Sequence, residues 1–477
     1  MVSIASIRGR ARGAGSEFVL ACDLRFASRE NTLLGQWEVG VGVVPGGGPM
    51  ARLSRILAAC FTDYRHPDRI EHGVEELVAQ RIYGLALGYE DLNDHDQLRA
   101  DPLMGVLIGK PEPKGTDRRR QQDRGKAGAG KSTLNRLELT PEKADARARY
   151  KKIVYQPEAL DQLLVDLFLE SFGPPPSRLE LDLDATDDPV HGNQEGRFFH
   201  GYYREYCYLP LYIICDEFVL CARLRSSNID AAAGALEEVE RIVAQIRKTW
   251  PEVEIILRGD GGFSRDAIMS WCEENRVEYV FGLGKNKRLL KIVGGQLQQA
   301  KVRFEETKTA ARVFTEFAYQ TRKSWKRERR VVAKAEHLEK GSNPRFVVTS
   351  LSAEQMEARA LYEELYCARG EMENRIKEQQ LALFADRTST QWMRSNQLRL
   401  YFSTFAYQLL QGLRRLGLKG TEMAQAQCQT IRLKLLKIGA QIRVTVRKVW
   451  LSLAAGYPFA KVFAEAYHNL RSILAPA

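Results

Sequence analysis

The sequence places acidic side chains at the ends of two predicted strands. Residues 179–186 alternate apolar and polar side chains, so a strand here carries Asp182 and Asp184 on the face opposite its leucines. Asp260 closely follows the apolar run 253–257, and an acid at the end of a buried strand usually points into a cleft. These two strands therefore offer carboxylates that could meet at one site.

A predicted helix supplies a third acid, beside a tyrosine and an arginine. Tyr366, Arg369 and Glu373 have the spacing i, i+3 and i+7, so they share one helix face. The planar guanidinium of Arg369 matches the oxygens of a phosphate. Three converging carboxylates could hold two Mg²⁺ ions, with Mn²⁺ tolerated, about 4 Å apart for displacement at a phosphodiester. Taken singly, each acid is better explained as part of a helix salt bridge or as a turn cap.

Strands and helices alternate between residues 179 and 283, which indicates an α/β sheet. Three strands precede the first long helix, so the sheet is predicted to be mixed and not wholly parallel. The predicted strands are 179–186, 208–215, 217–223, 253–257 and 277–283, with helices at 228–250 and 266–275. Further helices are predicted at 60–107, 141–172 and 353–412, and further strands at 311–319 and 345–349.

The chain has 71 Lys and Arg against 60 Asp and Glu, a formal charge of +11, and the excess is clustered. Residues 414–448 hold nine basic residues and one acidic residue, and further basic clusters occupy 322–330, around Trp325, and 118–126. Such clusters suit a polyanion, because each neutralised phosphate releases counterions. A solvated surface explains any single cluster, but three together favour nucleic acid as the partner.

Other chemistries are weakly indicated. The eight cysteines form no CxxC pair and the seven histidines form no HxH or HExxH pair, so neither a zinc site nor a disulfide framework is predicted. No apolar run reaches the about 20 residues that span a bilayer and no signal peptide is recognised, so a cytoplasmic location without membrane contact is expected. Residues 125–132 fit the phosphate-binding pattern GxxxxGK[ST], but the basic segment before them cannot form the buried strand that this motif requires.

Five segments occur in an order that is typical of one known family. They are LDLDATDDPVHG (181–192), ILRGDGGFSRD (256–266), YVFGLGKN (279–286), YCARGEMENRIKE (366–378) and TIRLKLLKIGA (430–440). Through them, residues 58–470 resemble a bacterial insertion-sequence transposase of the DDE superfamily, in the group with an inserted β-domain before the last acid. The signature Tyr-x2-Arg-x3-Glu-x6-Lys of that group matches Tyr366, Arg369 and Glu373. Its final lysine position holds Gln380, and Lys377 lies one turn after the glutamate.

The resemblance implies a ribonuclease-H-like mixed sheet with flanking helices, in which Asp184, Asp260 and Glu373 are the catalytic and metal-binding acids. Asp182 and Asp187 are the alternatives for the first position. DNA contacts are assigned to Tyr366, Arg369, Lys377, Trp325, Arg322, Lys323 and Arg327, and Trp325 could stack on an extruded base. The implied reaction is Mg²⁺-dependent cutting and joining of DNA at terminal inverted repeats and a target, carried out by a homodimer.

A second family resemblance is found near the N-terminus. It is carried by the segment IRGRARGAGSEFVLACDLRFASRENTLLGQWEVGVGVVPGGG. Through it, residues 1–57 resemble the enoyl-CoA hydratases and isomerases, the crotonase family. The two glutamates that handle water and a proton in that family match Glu17 and Glu38, and the backbone N–H near Ala14 matches half of its oxyanion hole. Trp37 stands where that family usually has proline. A slice of about 57 residues cannot bury its own core, so this segment is interpreted as a remnant fused to the transposase.

The expected organisation has five parts. They are a partial crotonase-like fragment at 1–57, a helical and basic region at 58–150, a catalytic core at 151–284 and 351–420, an inserted β-domain at 285–350, and a basic region at 421–477. The expected function is that of an insertion-sequence DNA transposase. One alternative is a catalytically inactive DNA-binding relic, because foreign sequence replaces the first transposase helices. The other alternative, with less support, is hydratase or isomerase activity.

Overall fold

The structure is a computed structural model of the 477-residue chain. It describes the backbone of residues 4–7, 10–12, 24–27 and 33–35, and then residues 53–445, 448–454 and 456–474. Two compact units are present. The first comprises Met1–Ser171, Gly192–Glu195 and Lys377–Ala477, and the second comprises Phe172–His191 and Gly196–Ile376. The five parts expected from the sequence do not coincide with these units, and their boundaries stay predictions.

Four short strands near the N-terminus pair in parallel, first with third and second with fourth. They are β1 (Ile4–Ile7), β2 (Arg10–Arg12), β3 (Leu24–Ala27) and β4 (Leu33–Gly35). Ala14, Glu17 and Glu38, the residues expected of a hydratase remnant, lie outside the described residues.

Helices make up most of the first unit and flank the sheet of the second. They are α1 (Leu53–Ala58), α2 (Val74–Ala86), α3 (His95–Leu98), α4 (Pro102–Leu107), α5 (Lys131–Glu138), α6 (Pro157–Glu170), α7 (Ala235–Thr249), α8 (Asp266–Glu274), α9 (Lys287–Ile292), α10 (Gly294–Thr307), α11 (Gly370–Leu383), α12 (Met393–Gly412), α13 (Cys428–Ile431) and α14 (Ala460–Leu474). In the part of the chain that the structure describes, no helix is long and apolar enough to cross a membrane.

The remaining strands form one large sheet and three small ones. They are β5 (Phe61–Asp63), β6 (Ile153–Tyr155), β7 (Arg178–Ala185), β8 (Asp188–Pro189), β9 (Phe198–His200), β10 (Glu205–Tyr208), β11 (Leu211–Cys215), β12 (Phe218–Arg223), β13 (Glu254–Gly259), β14 (Glu278–Leu283), β15 (Ala311–Tyr319), β16 (Arg329–Leu338), β17 (Gly341–Ser342), β18 (Arg345–Thr349), β19 (Ala440–Thr445) and β20 (Lys448–Leu453).

The large sheet belongs to the second unit and has the order β12-β11-β7-β13-β14-β18-β16-β15, with β17 paired to β16. Strands β7, β11 and β12 form an antiparallel meander, whereas β13 runs parallel to β7 and β14 runs parallel to β13. The prediction of a mixed α/β sheet is therefore confirmed. Strands β15, β16 and β18, from the predicted insertion, extend this same sheet.

Several predicted elements differ in extent. The helix predicted at 141–172 begins only at Pro157, because proline is favoured at the first helical position and the preceding residues form turns and the short strand β6. The helix predicted at 353–412 is interrupted between α11 and α12. Helices α9 and α10 and strand β16 lie in the basic region, where no helix was predicted and only two strands were.

A buried ion network holds helices of the first unit together. The Glu138 carboxylate is fully buried and accepts hydrogen bonds from Arg81 Nε at 2.6 Å and from Arg399 Nε at 2.8 Å. Although burial alone would raise it, the pKa of Glu138 is lowered by the charges of Arg81 and Arg399. This single carboxylate therefore neutralises two guanidinium groups, of which that of Arg81 is buried and that of Arg399 is partly exposed.

We expect Glu138→Gln to lower the free energy of unfolding by about 3 kcal/mol, because the change leaves two arginines without a counter-charge inside the protein. Urea denaturation followed by circular dichroism measures the effect. The matched control is the exposed Glu142→Gln, which should stay within about 0.5 kcal/mol of the parent chain. Equal stabilities for the two variants would contradict the role given to Glu138.

His95 is also buried beside this network, and burial together with the Arg81 charge lowers its pKa from 6.5 to about 3. At mildly acidic pH, His95 therefore binds a proton in the unfolded chain but stays neutral in the folded chain. The contribution of the neutral imidazole to stability is complete above pH 6.5 and is lost as the pH falls toward 3. Between pH 7.5 and 5.5, the parent chain should lose about 1.4 kcal/mol more than His95→Gln. Parallel pH profiles of unfolding free energy would refute this.

Candidate acidic site

Strand β7 presents two acids on one face because its other face is built from leucines. Leu181 and Leu183 are completely buried, and the alternation turns Asp182 and Asp184 to the opposite side. On this strand, Asp184 lies opposite Tyr212 of β11 and Asp182 lies opposite Arg258 of β13. The two acids therefore have different neighbours although they share a face.

Both carboxylate oxygens of Asp182 accept hydrogen bonds from a buried arginine. Arg258 donates from Nε to Asp182 Oδ1 at 2.6 Å and from Nη2 to Oδ2 at 2.8 Å, and its Nη1 donates to the Leu365 carbonyl at 3.1 Å. Although burial alone would lower it, the pKa of Arg258 is raised by these bonds to Asp182, so the guanidinium stays charged. Both Asp182 oxygens are engaged, which makes this acid a poor candidate for a metal ligand.

The register brings Asp260 level with Asp184. Gly259 pairs with Leu183 across the parallel strands β13 and β7, so the next residue of each strand, Asp260 and Asp184, lies at the same height. Asp260 is exposed, and its Oδ1 accepts the backbone N–H of Gly262 at 2.8 Å in the tight turn that follows. Neighbouring strands are about 4.8 Å apart, so both carboxylates sit at the same sheet edge.

The third acid arrives on a helical segment packed against the sheet. Residues Ala358–Ala360, the π-helical turn Leu361–Tyr366 and the 3₁₀ turn Cys367–Arg369 lead into α11. Leu361, Tyr362 and Leu365 join the buried core formed by β13, β14, β16 and β18. This anchoring sets the position of Arg369 and Glu373, which follow within two helical turns.

Tyr366 closes this arrangement over β14. A Cβ atom on Gly282 would lie 2.6 Å from the Tyr366 hydroxyl and 3.2 Å from the Asp260 carbonyl carbon, so only glycine leaves room here. Burial raises the pKa of Tyr366, Asp260 also raises it and Arg369 lowers it. The tyrosine ring therefore lies between the acid of β13 and the arginine of the helix.

The pKa of Asp184 is affected by the charges of the other residues described above. Burial raises its pKa to about 7, Asp260 and Glu373 raise it in the same direction, and Arg369 opposes them. Arg369 Nη2 lies 3.9 Å from Glu373 Oε1, one turn along the same helix. The charges of the other two acids expected from the sequence, and of one arginine, therefore all affect Asp184.

The donor set suits a hard divalent cation. Three carboxylates supply the oxygens that Mg²⁺ prefers, and a cation would offset both the burial and the neighbouring negative charges that raise the pKa of Asp184. Among the described residues, no three His, Cys, Asp or Glu side chains already form a group close enough to hold a metal ion. A ligand shell would therefore need Glu373, which is exposed, to turn toward the two aspartates.

Asp187, the other alternative for the first acid, is not among the charges that shift the pKa of Asp184. Its carboxylate raises the pKa of Tyr203 and of Glu205, after the larger effect of burial in each case. The Tyr203 hydroxyl donates to the Ala185 carbonyl at 3.4 Å, so Asp187 lies on the side of β7 occupied by residues 203–205. Asp184 is the strand residue best placed to act with Asp260 and Glu373.

Of the residues expected to contact DNA, some are exposed at the surface and one is packed inside the protein. Trp325 is only 5% exposed, and it packs against Tyr319 with ring centroids 5.9 Å apart and lies beneath Arg329. This packing argues against the expected stacking of Trp325 on an extruded base. The side chains that remain at the surface are Arg322, Lys323, Arg327 and Lys377, of which Arg327 pairs with Glu273 at 3.2 Å.

Part of the basic excess is structural. Arg432 is buried and donates from Nε to the Ala86 carbonyl at 2.8 Å. Arg329 is buried in ion pairs with Asp266 at 2.8 Å and with Glu273 at 2.7 Å. Basic clusters in the sequence therefore overstate the charge that is free to meet a polyanion.

The GxxxxGK[ST] segment ends at helix α5, as a phosphate-binding loop does, but an acid of the chain takes the place of a phosphate. The Lys131 backbone N–H donates to Asp96 Oδ1 at 3.1 Å, and Lys131 Nζ donates to Asn93 at 3.0 Å. A cavity of about 430 Å³ borders Lys131 and Ser132, yet two of its cations, Arg81 and Arg399, are paired with Glu138. These groups of the loop and the cavity therefore already have partners within the protein.

The sequence reasoning missed Arg258. Its signal was present, since a lone arginine at the end of the apolar run 253–257 must find a counter-charge if the strand is buried. The aromatic residues of 197–208 were also passed over, although five of them fall within nine positions.

An α/β protein with an acidic site at adjacent ends of parallel strands is the class that this fold and geometry define. The family described as Transposase DDE domain group 1 matches residues 40–475, and the chain belongs to that family. The enoyl-CoA hydratase/isomerase family matches residues 1–63, so the two matches overlap at 40–63. Both resemblances expected from the sequence are thereby confirmed.

The curated relatives resemble the hydratase-like part. The chain is 48% identical over 54 residues to the short-chain-enoyl-CoA hydratase of Clostridium acetobutylicum, which is 11% of this chain and 20% of that protein. It is 44% identical over 54 residues to the crotonyl-CoA hydratase of Syntrophomonas wolfei, again 11% and 20%. The chain therefore spans about one fifth of the length of these relatives.

The pairing of Arg258 with Asp182 predicts a large coupling in a double-mutant cycle. Arg258→Met should lower the free energy of unfolding by about 3 kcal/mol, because it leaves the buried Asp182 unpaired. Asp182→Leu should lower it by less, because Arg258 keeps an ion pair with Glu180. The double variant should recover most of that loss, because both charges are then removed. Chemical denaturation of the four chains measures the coupling. Additive losses would show that the pair does not act as a unit.

Proposed function

We propose that the chain is an insertion-sequence transposase that cuts and joins DNA ends by metal-dependent phosphoryl transfer. The observation that carries this proposal is that the charges of Asp260, Glu373 and Arg369 all act on the pKa of the half-buried Asp184. Membership of the DDE transposase family supports it independently. The second family match covers only residues 1–63, which gives hydratase activity no comparable support.

The core is proposed to be ribonuclease-H-like. An antiparallel meander of three strands, followed by two parallel strands reached through α7 and α8, supports this assignment. In such a sheet, Asp184 and Asp260 come from two neighbouring strands and Glu373 from a later helix. The three acids are then 76 and 113 residues apart in sequence but meet at one edge of the sheet.

Asp184, Asp260 and Glu373 would hold two Mg²⁺ ions, which supply Lewis-acid activation of the attacking oxygen and stabilisation of the leaving oxygen. The residues themselves have separate tasks. Asp184 is held rigidly by a buried strand, whereas Glu373 is exposed and can adjust its position. Arg369 is mostly buried and supplies a fixed positive charge that suits the phosphate of the scissile strand.

DNA carrying the terminal inverted repeats and the target is the proposed partner, and a homodimer would bring two ends together. The exposed Arg322, Lys323 and Lys377 are proposed to contact the phosphate backbone. Tyr366 is proposed to position the strand beside Arg369. The hydratase-like segment takes no part in this chemistry.

Strand cleavage provides the test. The substrate is a duplex that carries the inverted repeat flanking this gene, incubated with Mg²⁺ or with EDTA. We expect nicking at the repeat boundary by the parent chain, and a loss of more than about 100-fold in Asp184→Asn and Glu373→Gln, because each removes a metal-binding oxygen. The readout is the rate of product formation on a denaturing gel.

Glu371→Gln is the matched control. Glu371 is exposed on the same helix, two residues before Glu373, and pairs with Arg375 at 3.0 Å, so its loss should leave cleavage within about twofold. Binding of the duplex without cleavage by the parent chain would identify a DNA-binding relic. Equal cleavage by Glu373→Gln and Glu371→Gln would overturn the assignment of the third acid.

A further inference from the structure

A hairpin beside the acidic site exposes an unusual number of aromatic rings. We call residues 197–208, which contain β9, β10 and the turn between them, the aromatic hairpin. Its large side chains at the surface are Phe198, Phe199, Tyr202 and Tyr206, which are 43%, 57%, 83% and 48% exposed. Rings of this size are normally covered in a folded protein, so an exposed group of four indicates a binding surface.

On one face of the aromatic hairpin, two rings pack against each other. Phe199 lies directly across the strand pair from Tyr206, and their ring centroids are 5.6 Å apart in an edge-to-face arrangement. The Arg197 guanidinium lies 4.5 Å from the centre of the Tyr206 ring. This face therefore presents two aromatic rings and a cation, held in place while still open to solvent.

The hairpin is fixed to the strand that carries Asp184. Strand β10 pairs with β8, and the Tyr203 hydroxyl donates to the carbonyl of Ala185, the residue after Asp184. The Ser227 hydroxyl donates to the Phe198 carbonyl at 2.9 Å, and Cys207 is completely buried. Nearby Asp187 and Asp184 add to burial in raising the pKa of Tyr203, which places the hairpin beside these acids.

Its composition distinguishes between possible occupants. The hairpin adds Arg197, Arg204 and His200 to its rings and carries Glu205 as its acid. A surface for a second protein copy would be depleted of charge at its centre, whereas a surface for single-stranded nucleic acid combines stacking rings with cations. The position beside the proposed catalytic acids also favours the strand that those acids would cut.

We propose that the aromatic hairpin binds unpaired nucleobases of the DNA strand whose phosphate reaches Asp184, an inference that rests on the proposed function. Phe199 and Tyr206 stack on the bases, and Arg197 contacts an adjoining phosphate. Trp325, the residue expected to stack on a base, is buried in this structure, so the hairpin supplies the exposed rings for that task. Strand separation at the element end would thereby be stabilised next to the site of cleavage.

The test measures binding of three fluorescein-labelled DNAs by fluorescence anisotropy, using the full chain. The DNAs are an oligothymidylate of about 20 nucleotides, an abasic oligomer with the same number of phosphates, and a duplex of the same length. We expect the parent chain to bind oligothymidylate at least about 10-fold more tightly than the abasic oligomer, because stacking requires bases.

Three double variants separate ring stacking from other roles. Phe199→Ala/Tyr206→Ala and Phe199→Leu/Tyr206→Leu should lose about 10- to 100-fold in oligothymidylate binding and with it the preference over the abasic oligomer. The ring-preserving Phe199→Tyr/Tyr206→Phe should keep that preference. Duplex binding and the thermal unfolding midpoint should be unchanged in all three, because both side chains lie at the surface.

The contrary outcomes are distinct from each other. Duplex binding with no preference for oligothymidylate in the parent chain would overturn this inference and leave the proposed function standing. The same preference in the leucine variant would also overturn it, because apolar contact would then suffice. A dimer in sedimentation velocity that the leucine variant loses would assign the face to a second copy. Failure of the parent chain to bind any of the three DNAs would remove the proposed function and this inference together.

Discussion

The ion pair between Arg258 and Asp182 is the interaction on which the candidate site depends. Its two short hydrogen bonds join β13 to β7 at a fixed register, and a third bond ties the same guanidinium to the Leu365 carbonyl of the helical segment. One side chain therefore connects the three elements that carry Asp260, Asp184 and Glu373. It also neutralises Asp182, so the acid two residues further along the strand is left to face its like-charged neighbours.

The negative charges near Asp184 are not fully compensated by positive charges of the protein. Burial raises the pKa of Asp184 to about 7, Asp260 and Glu373 act in the same direction, and the charge of Arg369 does not offset the total. A group of carboxylates held together in this way favours either a proton or a cation, and a divalent cation satisfies more than one of them at once. The exposed position of Glu373 leaves room for that adjustment. In the proposed site, the strands would hold the two aspartates in place and the exposed helix residue would adjust its position.

The sequence predicted the elements that have strong local signals. The alternation around Leu181 and Leu183 located β7, and the apolar run 253–257 located β13, because buried strands show their periodicity directly. It did not predict that β15, β16 and β18 extend the main sheet, since pairing between distant strands is decided by tertiary contacts. The choice of Asp184 over Asp182 came from the family resemblance, because the alternation of the strand could not make it. Both side chains point to the same face of β7, and the position of Arg258 is what distinguishes them.

Aromatic residues show the same difference between residue type and environment. Trp325 sits within a basic stretch of sequence and was therefore expected to meet DNA, yet the fold places it against Tyr319 and uses Arg329 to bind two acids. Phe199 and Tyr206 stand in a segment with less positive charge, yet the short strands around them leave their rings uncovered. An aromatic ring binds a base only if its face is accessible. Exposure, which the sequence does not state, therefore carries more weight here than the number of nearby cations.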